Sequence, residues 1–311
     1  MLGGLTALQE LNLCNNALTG EIPAPLGNLS YLERLYLCGN DLTGEIPSSL
    51  GNLSRLKVFD LTNNELEGEI PIFISTLTGL RDLSLAHNNF TGEIPNSLSN
   101  LEGLHSLSLG NNQLTGEIPA SLGSLAGLES LYLRGNKLTG EIPSSVGNHP
   151  KLKWLNLEDN LLTGEIPFSI GGLSSLSDLA LGNNRLSGEI PASLGNLSNL
   201  SFLKLDSNLL TGEIPYSLGN LVSLVRLDLD RNQLSGEIPS SLGNLTELWH
   251  LHLYRNSLTG EIPTGLAALN RLREVNIAYN NLSGCIAEEF PDIWVTGSGL
   301  PRCNRGVEAT P

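Results

Sequence analysis

Apolar and polar residues alternate along the chain in one pattern that returns every 24 residues. The fifth copy shows its apolar positions, which are Leu104, Leu107, Leu109, Leu114, Ile118, Leu122 and Leu125. One asparagine marks each copy and recurs without insertion or deletion, so we number copies 1 to 12 by it: Asn16, Asn40, Asn64, Asn88, Asn112, Asn136, Asn160, Asn184, Asn208, Asn232, Asn256 and Asn280. Such strict self-similarity predicts a repeat architecture in which each copy packs against its neighbours.

Each copy predicts a short strand, a turn and a short return segment. The L-x-L element alternates with a period of two, so one face of the strand is buried and the other is free. The following T-G-E-I-P predicts a turn, because glycine tolerates positive φ and proline fixes its own φ. The L-G-N-L segment predicts a 3₁₀ or irregular return rather than an α-helix. The recurring asparagine is expected to be buried, with its amide bonded to backbone groups.

The 24-residue period around L-x-x-L-x-L-x-x-N is typical of leucine-rich repeats. It predicts an α/β solenoid, a right-handed curved superhelix of about twelve copies with a parallel concave sheet. We place the solenoid in 1–284, a C-terminal cap in 285–304 and a tail in 305–311. The first copy begins without an N-terminal cap, so we expect either a missing upstream segment or self-association at this uncovered repeat.

Composition and charge narrow the function. Aromatic residues make up 5% of the 311 residues, which favours a narrow core repeated many times. The net charge of −15 argues against nucleic acid or an anionic membrane surface as partner. No apolar run approaches the roughly 18 residues of a membrane span, and no signal peptide opens the chain. Eleven of the 32 acidic residues occupy one repeat position, from Glu21 to Glu261.

The L-x-G-x-I-P-x-x-L-G-x-L pattern, over about residues 2 to 288, resembles the plant-type leucine-rich repeat of receptor-like kinase ectodomains and polygalacturonase-inhibiting proteins. The resemblance implies an extracellular or cell-surface recognition module that binds a protein, peptide or glycan. The paired-cysteine N-terminal cap of that family is absent here, as are its transmembrane and kinase segments. The resemblance to a secreted family also implies a Cys285–Cys303 disulfide in the cap, where Phe290 and Trp294 are expected to cover the last leucine layer.

A second cysteine pair stands at one repeat position of copies 1 and 2. Cys14 and Cys38 are expected about 4.8 Å apart on neighbouring strands, which is within disulfide range. Side chains in register on parallel strands rarely adopt the dihedral angle of a disulfide. We therefore expect two free surface thiols.

Ligand binding is expected where the repeat varies, at the free strand positions. Exposed aromatic residues flanked by arginine and carboxylates are typical of interface hot spots. The candidates concentrate in copies 9 to 11, with a smaller cluster in copies 6 and 7: Phe202, Lys204, Asp206, Arg226, Asp228, Asp230, His250, His252, Tyr254 and Arg255, and then Tyr132, Arg134, Trp154 and Glu158. The alternative is a solvated surface paired internally, with Lys204 against Asp228 and Arg226 against Asp206 or Asp230.

Other chemistries have weaker support. His252 beside Asp228 suggests a base and its orienting group, but no serine or cysteine adjoins that histidine, so we predict no enzyme. His252, Asp228 and Asp230 are suitable metal ligands, yet an open sheet predicts no closed geometry, so we expect neither metal nor cofactor. The alternative function is a structural or surface-coat repeat protein. Cation binding by the glutamate positions, and ice binding by the threonines that precede Gly-Glu, are its minor variants.

Overall fold

The structure is a computed structural model that describes residues 4–286, 288, 290 and 300–303. The chain forms two compact units, Met1–Leu162 and Thr163–Pro311. Trp294 and the predicted tail lie outside the described residues. No helix in the described part of the chain has the length and apolar character of a membrane span.

One short strand per copy forms a parallel sheet in the first unit. Neighbouring strands pair with an offset of 24 residues, so that Leu107 lies opposite Leu131. The strands are Glu10–Asn12, Arg34–Tyr36, Val58–Asp60, Asp82–Ser84, Ser106–Ser108, Ser130–Tyr132 and Trp154–Asn156. A second parallel set on the flank comprises Thr19–Glu21, Asp41–Gly44, Glu65–Glu69 and Asn89–Thr91. The 3₁₀ helices are Ala24–Asn28, Ser48–Asn52, Ile72–Thr76, Asn96–Asn100, Ala120–Ser124 and Ser144–Asn148.

The second unit repeats this arrangement. Its parallel strands are Asp178–Ala180, Phe202–Lys204, Arg226–Asp228, His250–His252 and Glu274–Asn276. Its 3₁₀ helices are Phe168–Gly172, Ala192–Asn196, Tyr216–Asn220, Ser240–Asn244 and Thr264–Ala268. On the flank, isolated bridges join the glutamate of one copy to the next copy, as in Glu237 with Thr259. The strands and 3₁₀ returns confirm the predicted leucine-rich-repeat solenoid.

The core of each unit is the stack of leucines at the repeat positions. Leu107, Leu109 and Leu114 are fully buried in copy 5, and the leucine of the 3₁₀ return is buried with them. Copy 6 departs from this pattern because His149, which is fully buried, occupies the position of Leu125, the leucine just after the 3₁₀ helix. Its Nδ1 lies 3.0 Å from the carbonyl oxygen of Leu125. Burial holds the pKa of His149 below its ordinary value, because the charged imidazolium would be desolvated.

The recurring asparagines connect consecutive copies. Asn136 donates from Nδ2 to the carbonyl oxygens of Leu109 and Leu133, at 3.1 and 3.0 Å. Its Oδ1 accepts the backbone N–H of Leu114 at 3.0 Å. Asn136 is 8% exposed, and the predicted burial is confirmed in seven copies. The buried amide therefore bonds backbone groups of its own and the preceding copy, which fixes the stacking of the repeats, whereas Asn16 of copy 1 bonds only its own copy among the described residues.

The recurring glutamate packs on the glycine of the next copy. Gly236 has a φ of +72°, and a Cβ added there would lie 2.8 Å from Cγ of Glu213. The same contact recurs along the flank of both units. The aliphatic stem of each glutamate thus covers a glycine, while its carboxylate stays exposed. This packing supplies a structural reason for the regular glutamates that does not require a ligand.

Both cysteine pairs form disulfides. The expectation of two free thiols at Cys14 and Cys38 was wrong, because these residues are bonded with a Cα–Cα distance of 4.5 Å. The strands end at residues 12 and 36, yet the backbone N–H groups of Leu13 and Asn15 still donate to the carbonyl oxygens of Tyr36 and Cys38, at 2.9 and 2.8 Å. The cysteines therefore stay in register just beyond the strands, at a separation that a disulfide can span.

At the other end of the chain Cys285 is bonded to Cys303, and Phe290 is buried. Ile286 pairs with Arg302 in a parallel bridge, and Nη1 of Arg302 donates to the carbonyl oxygen of Phe290 at 2.7 Å. The described part of the predicted cap is therefore held by a disulfide, a backbone bridge and a buried ring.

Candidate ligand-binding surface

The strand register of the second unit brings most of the predicted site residues together. Phe202 lies opposite Arg226, and Arg226 lies opposite His250. Two residues further along each strand, Lys204 lies opposite Asp228 and Asp228 opposite His252. Alternate residues of a strand share a face, so both rows lie on the face opposite the buried leucines. We call this surface the strand face; Phe202 is 38% exposed there, whereas Asp228 is 3% exposed.

A chain of charged groups crosses copies 10 to 12 on the strand face. Nε of Arg226 lies 2.6 Å from Oδ2 of Asp228, and Nδ1 of His252 lies 2.8 Å from Oδ1 of the same carboxylate. Nε2 of His252 lies 3.3 Å from Oε1 of Glu274. This pairing differs from the predicted alternative, which matched Arg226 with Asp206 or Asp230. Residues two apart on a strand project from the same face, so the long arginine reaches the aspartate of its own strand.

These contacts shift the pKa values in opposite directions. Burial alone would raise the pKa of Asp228, but His252 and Arg226 together lower it. The neighbouring Asp228 carboxylate raises the pKa of His252 against the opposing effect of burial, and Glu274 adds to the rise. Burial, reinforced by the charge of Asp228, raises the pKa of Asp230. The cluster therefore favours a positive charge at the position of the imidazole ring.

A cluster of aromatic and cationic side chains lies where the strands of copies 10 to 12 end. The rings of Tyr254 and Tyr279 meet edge to face, with centroids 5.3 Å apart. The guanidinium carbon of Arg255 lies 5.1 Å from the Tyr254 centroid and 5.5 Å from that of Tyr279. The guanidinium carbon of Arg231 lies 5.6 Å from the Tyr254 centroid. Tyr279 remains 67% exposed, so part of this cluster is open to a partner.

The smaller predicted cluster lies in the first unit. Arg134 binds Asp159 at 2.8 Å and lies 3.7 Å from Glu158, which is buried. Trp154 begins its strand and is 37% exposed, with the Lys153 ammonium 5.7 Å from its ring centroid. Tyr132 ends the neighbouring strand and is half-buried. The side chains are brought to one region, but much of the charge is satisfied internally.

Sequence reasoning missed Arg231, Tyr279 and Glu274. Arg231, Arg255 and Tyr279 occupy one repeat position and have φ values of 55°, 53° and 55°. Earlier copies fill that left-handed position mostly with asparagine or glycine, which adopt it at lower cost. The change to two arginines and a tyrosine in copies 10 to 12 was visible in the sequence. It would have added this turn to the candidate surface.

Comparison with known proteins identifies the class. Models described as Leucine rich repeat match residues 30–90, 78–138 and 150–210, and further ones match 7–29, 223–245 and 247–269. The chain belongs to the leucine-rich repeat family, and its relatives among solved structures include plant receptors, as the plant-type pattern predicted. No curated protein matches the chain.

Three solved structures show the range of this similarity. A TDR receptor shares 35% identity and a TM-score of 0.90, over 92% of this chain and 49% of the receptor. The plant peptide hormone receptor RGFR1, in complex with RGF2, shares 37% identity and a TM-score of 0.80, over 92% and 50%. A plant ice-binding protein shares 29% identity and a TM-score of 0.67, over 96% and 84%. The chain thus spans about half the length of these receptors.

Proposed function

We propose that the chain is a non-catalytic recognition module that binds its ligand on the strand face of copies 9 to 11. One observation carries the proposal. The framework positions repeat almost unchanged, while the register gathers Phe202, Arg226, His250 and their neighbours onto one face. Exposed aromatic rings beside arginine and carboxylates supply apolar area and directed hydrogen bonds in one place.

A peptide is the ligand class that we favour among proteins, peptides and glycans. The similar RGFR1 structure contains RGF2, and a structure of PEPR1 with AtPEP1 is 38% identical to this chain with a TM-score of 0.82. An extended peptide can follow successive copies, meeting a new row of side chains at each one. The two disulfides are in keeping with an extracellular or cell-surface location, because they persist in oxidising compartments.

A pull-down with a matched control tests this function. The chain and an Arg226→Ala/His250→Ala/Tyr254→Ala variant would be incubated with native extracellular fluid, and bound species identified by mass spectrometry. A Ser84→Ala/Ser106→Ala/Ser108→Ala variant carries three changes on the strand face of the first unit and is the control. We expect a ligand captured by the wild type and the control but lost by the first variant. Equal capture by all three would refute the proposed surface.

Ice binding is the second candidate, because the ice-binding relative is matched over 84% of its length. On the flank the glutamate of one copy pairs with the threonine of the next, as in the Glu237–Thr259 bridge, so carboxylates lie among the hydroxyl groups. The exposed carboxylates interrupt the hydroxyl array that an ice plane would contact. We therefore expect no inhibition of ice recrystallisation, and strong inhibition at micromolar protein would favour this candidate instead.

A further inference from the structure

Three side chains with metal-binding groups converge in copies 10 and 11. Asp228, Asp230 and His252 each offer one ligand atom, and the three atoms lie within 4.8 Å of one another. Zinc bonds to oxygen and nitrogen are about 2.0–2.2 Å long, so ligand atoms at tetrahedral angles around one ion lie roughly 3.3–3.6 Å apart. Side-chain rotations that shorten the longest separation by roughly 1 Å would therefore bring all three atoms to a single ion. The sequence analysis named the same three residues as suitable ligands but expected no metal, because it took the strand face to be open.

The Asp228 carboxylate presents a buried oxygen toward this cluster. Its side chain is 5% exposed, and Oδ2 is occupied by Nε of Arg226 at 2.6 Å. The other oxygen, Oδ1, completes no directed hydrogen bond within the described residues, although Nδ1 of His252 is 2.8 Å away. A buried carboxylate oxygen without a hydrogen bond is costly. The contact between Oδ1 of Asp228 and Nδ1 of His252 has the separation, but not the alignment, of a hydrogen bond. Both atoms could therefore serve as ligands of one cation.

The surrounding charges favour a cation in the same place. Nε2 of His252 is buried, has no hydrogen bond to any residue that the structure describes, and lies 3.3 Å from the Glu274 carboxylate. Three carboxylates thus surround the imidazole, and Arg226 neutralises the outer oxygen of one of them. Arg231 is more distant, 3.8 Å from Asp230, with its side chain 54% exposed. Arg226 also fixes the orientation of the Asp228 carboxylate, as outer-shell partners of metal ligands do.

We propose that Asp228, Asp230 and His252 bind one divalent transition-metal ion, with Zn²⁺ as the representative of its class. Mixed carboxylate and imidazole ligands suit zinc and its first-row neighbours, whereas Ca²⁺ and Mg²⁺ prefer oxygen ligands throughout. Three protein ligands leave a coordination position for water or for a donor atom of a bound partner. The site extends the proposed function but does not depend on it, because metal binding is measured without a partner.

Isothermal titration of the EDTA-treated full chain with ZnCl₂ tests the site. We expect one equivalent of Zn²⁺ per chain, and an affinity at least about tenfold lower in Asp230→Asn and in His252→Asn, since even an outer-shell change costs roughly 10- to 100-fold. Asp230→Asn leaves the Arg226–Asp228 contact in place, so the fold is preserved, as circular dichroism would verify. Asp206→Asn changes the equivalent residue of copy 9, outside the three-residue cluster, and must bind Zn²⁺ like the wild type.

Each result decides the proposal. Absence of Zn²⁺ binding, or equal affinity in wild type, Asp230→Asn and His252→Asn, would overturn it. Equal binding of Ca²⁺ would place the ion on the exposed glutamates instead. Co²⁺ gives a readout independent of stability, because its visible absorption bands report a nitrogen ligand and must change in His252→Asn. Zn²⁺ binding that persists while the pull-down finds no ligand would support the metal site and refute only the recognition surface.

Discussion

Replacing Asn136 with alanine tests how the copies are held together. The substitution removes an amide that donates to Leu109 and Leu133 and accepts from Leu114. The two carbonyl oxygens each keep a partner, because a neighbouring asparagine amide bonds them as well, from Asn112 and Asn160 respectively. The Leu114 N–H loses its acceptor. One buried donor is therefore orphaned rather than three groups.

The expected cost follows from that single donor. An unsatisfied buried N–H costs about 1–3 kcal/mol, so we expect Asn136→Ala to lower the free energy of unfolding by about 2 kcal/mol. Asn16→Ala is the matched control, since Asn16 is exposed and bonds only carbonyls of its own copy among the described residues. We expect the control to cost less than about 0.5 kcal/mol, as at other surface positions.

Urea unfolding followed by circular dichroism measures the difference, and hydrogen exchange locates it. Repeat proteins can unfold in segments, so the exchange rate of the Leu114 amide supplies the local value. We expect that amide to lose protection in Asn136→Ala and to keep it in the control. Equal stability of the two variants, or an unchanged Leu114 amide, would refute the role assigned to the asparagines.

Three further outcomes follow from the packing. His149→Leu should become more stable relative to the wild type as the pH falls below about 6.5. The pKa of His149 is lower in the folded chain than in the unfolded chain, so acid protonates the unfolded wild type first and destabilises its fold. A stability difference that does not change with pH in urea titrations would contradict this. Gly236→Ala should lower the free energy of unfolding by at least about 1 kcal/mol, because alanine is strained at a positive φ and its Cβ would clash with Cγ of Glu213. Adding Glu213→Ala should relieve the clash but not the backbone strain, so only part of the stability should return. Replacing Cys14 and Cys38 with serine should lower the free energy of unfolding by about 3 kcal/mol. The urea midpoint of the variant should lie below that of the wild type when both are measured without reductant, and equal midpoints would contradict this.

The repeated framework of strand, turn and return segment could be predicted from the sequence because the same residues recur in every copy. Leu107, Asn112 and Gly116 recur in equivalent positions, so the strand, the buried amide and the turn follow from one pattern. A period of two along each strand also fixed which residues share the strand face.

The site itself was predicted less completely, since its contacts occur once. The burial of Asp228 and the return of Arg226 onto its own strand depend on side-chain conformations that no periodicity encodes. The Cys14–Cys38 bond was missed because in-register side chains were expected not to adopt disulfide geometry, although a Cα–Cα distance of 4.5 Å permits the bond. Arg255 of the left-handed turn was among the predicted site residues, but its equivalents Arg231 and Tyr279 were not, because the turn position was not compared between copies.

The affinity of the captured ligand is the most direct test of the strand face. Titration calorimetry would compare the wild type, the Arg226→Ala/His250→Ala/Tyr254→Ala variant and the serine-position control. Hot-spot truncations cost about 1–2 kcal/mol or more each, so the account predicts at least roughly a 100-fold weaker Kd for the first variant and an unchanged Kd for the control. A ligand bound equally by all three proteins would contradict the account.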